Sequence, residues 1–84
     1  MKITFKLYAT LTDYLPPQAR SDNRIELDIE PDATIADILA RFNLPTKLVH
    51  LVLVNGVYVP PQARASRRLQ AGDVLAIWPP IAGG

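Results

Sequence analysis

Thr34-Ile35-Ala36-Asp37-Ile38-Leu39-Ala40-Arg41-Phe42-Asn43 is the stretch that decides the fold. Ile35, Ile38, Leu39 and Phe42 fall at i, i+3, i+4 and i+7, which is one apolar stripe of an amphipathic helix. Thr34 with Asp37 three residues later forms the pattern of a capping box, the hydroxyl taking one backbone N–H and the carboxylate reaching back to another. Asn43 suits a left-handed stop, and Pro45 prevents continuation. The spacing predicts one helix of two to two and a half turns, with a single face to bury.

Strand patterns surround it. Lys2 to Tyr8 alternates, with Ile3, Phe5 and Leu7 on one face and Lys2, Thr4, Lys6 and Tyr8 on the other. A helical turn over Leu11 to Leu15 is closed by Pro16-Pro17, and a polar loop runs to Asn23. Arg24 to Glu30 alternates again, burying Ile25, Leu27 and Ile29 and exposing Glu26, Asp28 and Glu30, three carboxylates that read as solubility features. Beyond the helix, Leu51 to Val54, Asn55-Gly56 and Val57 to Val59 read as a hairpin, because Asn-Gly accepts the positive φ values of a type I′ turn. Leu51 to Val54 is apolar throughout, so its facing residues cannot be told from parity. Pro60-Pro61 ends the return strand, a basic segment with Arg64, Arg67 and Arg68 follows, and Ala71-Gly72-Asp73 turns into a last strand, Val74 to Trp78. One amphipathic helix and one apolar sheet face combine most simply as a two-layer α+β domain with the helix across the sheet. Neither an internal repeat nor a linker is visible.

The 84 residues suffice for one small domain, which buries only about 60–65% of the surface its unfolded chain exposes. A catalytic cleft between domains is therefore not expected. Apolar residues are 49%, charged residues 20%, and the formal net charge is +1, which suits a soluble globule rather than a chain that coats nucleic acid. There is no cysteine, excluding disulfides, thiolate metal sites and persulfide chemistry on its own side chains. No Gly-rich phosphate loop and no cluster of metal ligands occurs. His50, the single histidine, has no nucleophile or carboxylate constellation near it in sequence and reads as structural or superficial. Apolar runs fall short of the ~20 residues needed to cross a bilayer. A cytoplasmic protein with no membrane or nucleic-acid partner is expected.

The sequence ends Trp78-Pro79-Pro80-Ile81-Ala82-Gly83-Gly84. Pro79 and Pro80 cannot donate to a sheet ladder and bias the chain toward extended conformations. Ladder pairing is expected to stop at Trp78, dividing the chain into a domain over 1–78 and an extended tail over 79–84. Glycine has no Cβ, so Gly83-Gly84 suits a narrow channel in a partner enzyme.

Together, Val54-Asn55-Gly56, Leu69-Gln70-Ala71-Gly72-Asp73-Val74 and the Ile77 to Gly84 ending resemble the ubiquitin-like sulfur carriers of the MoaD/ThiS family, which includes the molybdopterin synthase small subunit and the thiamine sulfur carrier. The similarity extends over essentially the whole chain, Thr34 to Leu39 included. It implies a β-grasp fold, a mixed sheet of about five strands with one main helix packed across it. It also implies that Gly84 is adenylated by an E1-like enzyme using ATP in trans, then converted to a thiocarboxylate with sulfur from a persulfide donor. The chain itself would bind no cofactor and no metal, and catalysis would reside in its partners. Ala9 to Asn23, with Leu11-Thr12-Asp13-Tyr14-Leu15, is similar to a segment of the molybdopterin branch, so a molybdopterin synthase large subunit is the expected acceptor. Thiamine-type carriers and protein modifiers joined through Gly84 share the ending and remain alternatives, as does a non-covalent binding module.

Partner docking is expected on aromatic side chains. Strand parity turns Tyr8 and Trp78 away from the helix, and Tyr58 on the hairpin joins them; these are the positions onto which the family's hydrophobic docking face maps. Such residues dominate binding hot spots. Arg64, Arg67 and Arg68, with Lys47, form a basic set able to line the path of an acidic partner. Pro79, Pro80, Ile81, Ala82 and Gly83 would thread the activating enzyme and present Gly84.

Overall fold

The structure, a computed structural model, describes residues 1–80. Five strands and one helix follow in the order β1 (Lys2–Leu7), β2 (Arg24–Asp28), α1 (Ile35–Arg41), β3 (Leu51–Val54), β4 (Val57–Tyr58) and β5 (Val74–Trp78). They form one mixed sheet in the order β2-β1-β5-β3-β4, the two chain-terminal strands lying side by side in its middle. Only β1 and β5 are parallel; Phe5 faces Leu75 and Leu7 faces Ile77 across that pair. Both strands can occupy the centre because α1 covers the sheet and the crossover between them contains the rest of the chain.

The helix begins as the pattern predicts. The Asp37 N–H donates to the Thr34 hydroxyl and the Thr34 N–H to the Asp37 carboxylate, completing the capping box. Two further first-turn donors find partners outside the helix, Ile35 N–H on the Arg67 carbonyl and Ala36 N–H on the Arg64 carbonyl, each at 3.1 Å. The segment after β4 thereby supplies acceptors that a helix N-terminus lacks. Asn43 takes φ 58° and ends the helix as expected. Ile35 and Ile38 are fully buried, while Leu39 and Phe42 pack at the margin of the core, the Phe42 ring 4.8 Å from that of Phe5.

Inner faces of the strands supply the rest of the core: Ile3, Phe5 and Leu7 from β1, Val52 and Val54 from β3, Leu75 and Ile77 from β5. The connection from β1 to β2 contains two 3-10 turns, Ala9–Tyr14 and Pro17–Ala19. Leu11 and Ala19 within them and Leu15 between them are buried, so this connection is part of the core rather than a loose insertion. Asn55 (φ 52°) and Gly56 (φ 82°) both lie in the left-handed region, as a type I′ hairpin requires. Asn55 also closes the turn onto β5. Its amide nitrogen donates to the Asp73 carboxylate at 2.9 Å, and its amide oxygen accepts the Val74 N–H at 2.8 Å. The second Asp73 oxygen accepts the Gln70 N–H at 2.8 Å, which shapes the Gln70 to Asp73 turn in which Gly72 has φ 85°.

Candidate functional site

With α1 on the inner face, the opposite face of the sheet is left open, and strand register fixes which side chains it carries. Phe5 pairs with Leu75 and Leu7 with Ile77 on the inside, so Thr4, Lys6, Val74, Ala76 and Trp78 lie outside. On β3, Val52 and Val54 share the inner face with Ile77 and Leu75; Leu51 and Leu53 therefore stand beside Trp78 and Ala76 on the outer one. Tyr58 is opposite Leu53 and continues the same face to the sheet edge, 51% exposed. Directly opposed residues on neighbouring strands have Cβ atoms only about 4.5–5.5 Å apart, so Trp78, Leu51, Ala76, Leu53 and Tyr58 make one continuous apolar surface.

Tyr8 completes it. Leu7 is the last residue of β1, yet the Tyr8 N–H still donates to the Ile77 carbonyl at 3.1 Å, and the ring lies flat on the Trp78 indole with centroids 4.1 Å apart and planes 3° from parallel. Ala9, at φ 53°, then turns the chain out of the strand direction. On its other flank Trp78 accepts the His50 N–H at its carbonyl, 3.0 Å. Trp78 is thus held from both sides at the point where β5 ends. The two prolines after it have no N–H with which to extend the ladder.

The remainder of the outer face is charged. Across β1 and β2 the opposed outward pairs are Lys6 with Arg24, Thr4 with Glu26 and Lys2 with Asp28. Lys2 and Asp28 form an exposed ion pair at 3.3 Å, the only one among the described residues. In water such a pair contributes little to stability.

All three expected docking aromatics, Tyr8, Tyr58 and Trp78, therefore lie on the outer face. Tyr8 and Trp78 touch, whereas Tyr58 joins them only through Leu53. Leu51 and Leu53 share this face with them, a placement that strand parity alone did not give. Their signal was the unbroken apolar run itself, since a strand apolar on both faces needs a second apolar contact. Arg64 requires a correction. It is not a surface cation lining a partner's path: it is 8% exposed, and Nε, Nη1 and Nη2 donate to the carbonyls of Val59, Val49 and His50 at 3.3, 3.3 and 3.2 Å. The guanidinium satisfies main-chain acceptors where the chain enters β3 and leaves β4. Arg67, Arg68 and Lys47 are exposed. The expected tail residues Ile81, Ala82, Gly83 and Gly84 lie outside the described residues, and Pro79 and Pro80 are the last two within them.

Among the described residues there is no group of three or more His, Cys, Asp or Glu that could hold a metal ion, and no helix long and apolar enough to cross a membrane. His50 is exposed and its ring has no hydrogen-bond partner among the described residues.

A mixed sheet clasping one helix, its terminal strands paired in parallel at the centre, defines a ubiquitin-like β-grasp domain. The chain belongs to the Mut7-C ubiquitin family, whose model matches residues 1–82. Solved structures share the fold. SAMP1 from Haloferax volcanii aligns over the whole of both chains with TM-score 0.69 and 23% identity. The HVO 2177 protein of the same organism aligns over all of this chain and 87% of its own with TM-score 0.74 and 24% identity. A chain of the complex of subunits 1 and 2 of the molybdopterin-converting factor from Helicobacter pylori aligns over the whole of both with TM-score 0.61 and 16% identity. No curated protein matches the chain.

Proposed function

We propose that this protein is a ubiquitin-like sulfur carrier whose reactive group is the main-chain acyl carbon of Gly84. The observation that carries the reading is the place of Trp78. It is at once the last ladder residue of central strand β5 and a central member of the apolar outer face. A partner seated on that face lies at the root of the Pro79-Pro80-Ile81-Ala82-Gly83-Gly84 segment.

A carboxylate is a poor electrophile at neutral pH, because its pKa near 3.5 leaves it an anion. Activation therefore comes in trans. One oxygen of the Gly84 carboxylate attacks the α-phosphorus of ATP in an E1-like enzyme, and pyrophosphate leaves. The terminal sulfur of a donor protein's persulfide then attacks the acyl carbon and expels AMP, giving an acyl disulfide. A thiol attacks the donor-side sulfur, breaks the S–S bond and releases the thiocarboxylate, the thiol and the donor sulfur ending as a disulfide. The thiocarboxylate sulfur is a nucleophile at neutral pH; it attacks an electrophilic carbon of the acceptor, forming a C–S bond as the C–O bond there breaks and its oxygen leaving group departs. Hydrolysis of the resulting thioester leaves sulfur on the acceptor and returns the Gly84 carboxylate.

The molybdopterin branch is the pathway proposed, with the synthase large subunit as acceptor. The Ala9 to Asn23 connection, similar to a segment of those carriers, supports it, and so does the shared fold of a chain from a molybdopterin-converting factor complex. A second reading, a modifier joined through Gly84 to lysines of other proteins, is favoured by the equally shared fold of small archaeal modifier protein 1 from Haloferax volcanii. Both readings use the same adenylate and part after it.

Incubation with the E1-like enzyme, ATP and a persulfide donor should raise the intact mass by the difference between a sulfur and an oxygen atom. Isopeptide-linked adducts in extracts without that mass change would favour the modifier. Neither product would refute both.

A further inference from the structure

On the helix side of the sheet, away from Trp78, a groove of about 350 Å³ runs between α1 and the 3-10 turn Pro61–Ala63 with the residues that follow it. Leu39, Ala40, Leu44, Val49, Pro61 and Arg64 are among its lining. The groove exists because α1 presents small side chains there. Ala36 and Ala40, one turn apart, leave a recess beside half-buried Leu39 that longer residues would fill. The opposite wall cannot close it, since Arg64 is tied beneath by its three carbonyl acceptors. A volume of this size accepts one or two large apolar side chains.

The wall of the groove that faces α1 belongs to a segment whose charges have one sign. From Phe42 to Gly72 the chain contains Lys47, Arg64, Arg67 and Arg68 and no carboxylate; all eight Asp and Glu lie between Asp13 and Asp37 or at Asp73. The two acids adjoining this region are both engaged: Asp37 accepts the Thr34 N–H in the capping box, and Asp73 is held by Asn55 and the Gln70 N–H. An apolar recess whose wall facing α1 bears cations and no carboxylate complements one kind of ligand. We infer that this groove is a second docking site, which takes an acidic segment of a partner protein anchored by apolar side chains. Apolar burial would supply adhesion, while Lys47, Arg67 and Arg68 would raise encounter rates and impose salt dependence. Nucleic acid, which shares the negative charge, would leave the apolar recess unused. The site uses neither the outer sheet face nor Gly84, so it stands or falls separately from the sulfur chemistry.

The test is an amide NMR titration of the full chain with a short synthetic peptide of aspartates flanking a Leu-Leu pair, beside the same peptide with asparagine at every aspartate. Shifts are expected at Ala36, Leu39, Ala40, Val49 and Ala65 and not at Tyr8, Leu53 or Trp78. Affinity should fall about tenfold or more with the asparagine peptide, the equivalent of 1.4 kcal/mol. Ala40→Glu and Ala65→Glu, on exposed sites of opposite walls, should each abolish binding while the spectrum stays dispersed. Shifts confined to the Trp78 face, equal binding of the neutral peptide, indifference to both variants, or no shift at saturating peptide would overturn the inference. Identical shifts with a deoxythymidine oligomer would do so too, reassigning the surface to nucleic acid.

Discussion

The Tyr8 ring and the Trp78 indole are stacked 4.1 Å apart and 3° from parallel, joining the end of the first strand to the end of the last. Parallel pairing of β1 with β5 makes this contact available, and the Tyr8 to Ile77 hydrogen bond holds it in register. An aromatic pair of this kind adds about 0.5–1.5 kcal/mol beyond its buried area. Trp78→Ala should therefore lower stability by about 1–3 kcal/mol, the stack plus the lost apolar contact with Leu51. It should also weaken partner docking by more than tenfold, the behaviour of a hot spot. Denaturant midpoints followed by circular dichroism and calorimetric titration with the E1-like enzyme measure the two effects separately. A variant that docks normally would remove Trp78 from the interface.

Tyr58 and Leu53 give a cleaner separation of docking from folding. Tyr58 is half exposed at the sheet edge, so Tyr58→Ala should change stability by no more than about 0.5 kcal/mol. Leu53→Gln, at the centre of the outer face, should leave the fold intact and reduce affinity for the same partner at least about tenfold, one buried leucine's worth of contact. Surface plasmon resonance on both variants, with Lys6→Ala as a comparison on the charged half, reads the difference.

Arg64 is expected to be a stability residue. Arg64→Ala leaves three main-chain carbonyls of Val49, His50 and Val59 without their donor in a buried place and should cost about 2–4 kcal/mol. Arg64→Lys, with a single ammonium in place of a planar fork, should recover only part of that loss. Urea unfolding of the three proteins gives the order, and an Arg64→Ala protein as stable as the parent would contradict the role.

Asn55 and Asp73 should behave as one unit. Asn55→Ala removes both the bond to the Asp73 carboxylate and the acceptor for Val74 N–H, and places a Cβ-bearing residue with no local amide at φ 52°. A double-mutant cycle with Asp73→Ala should give a coupling energy of about 0.5–3 kcal/mol. Additive effects would mean that the hairpin and the β5 turn are held independently.

Much of this architecture was legible from residue patterns. The Thr34 cap, the Asn43 stop, the Asn55-Gly56 turn and the limits of β5 all depend on short-range chemistry, where one or two side chains decide a backbone conformation. The outward orientation of Tyr8 and Trp78 followed from alternation. Leu51 and Leu53 escaped because alternation fails where both faces of a strand are apolar, and only the β3 to β5 register separates them. Arg64 escaped for a related reason. Its carbonyl partners are up to 15 residues away in sequence, and nothing in a run of arginines marks which one turns inward. Likewise Asn55 and Asp73 were each recognisable, but not their bond, which needs the folded sheet to bring the hairpin onto the start of β5.

The most direct test of the central proposal is pyrophosphate–ATP exchange by the E1-like enzyme, measured with the full chain and with a chain lacking Gly84. Exchange that requires the chain and disappears with Gly84 is the predicted result. Undiminished exchange without Gly84, or none with the full chain at concentrations that saturate docking, would contradict it.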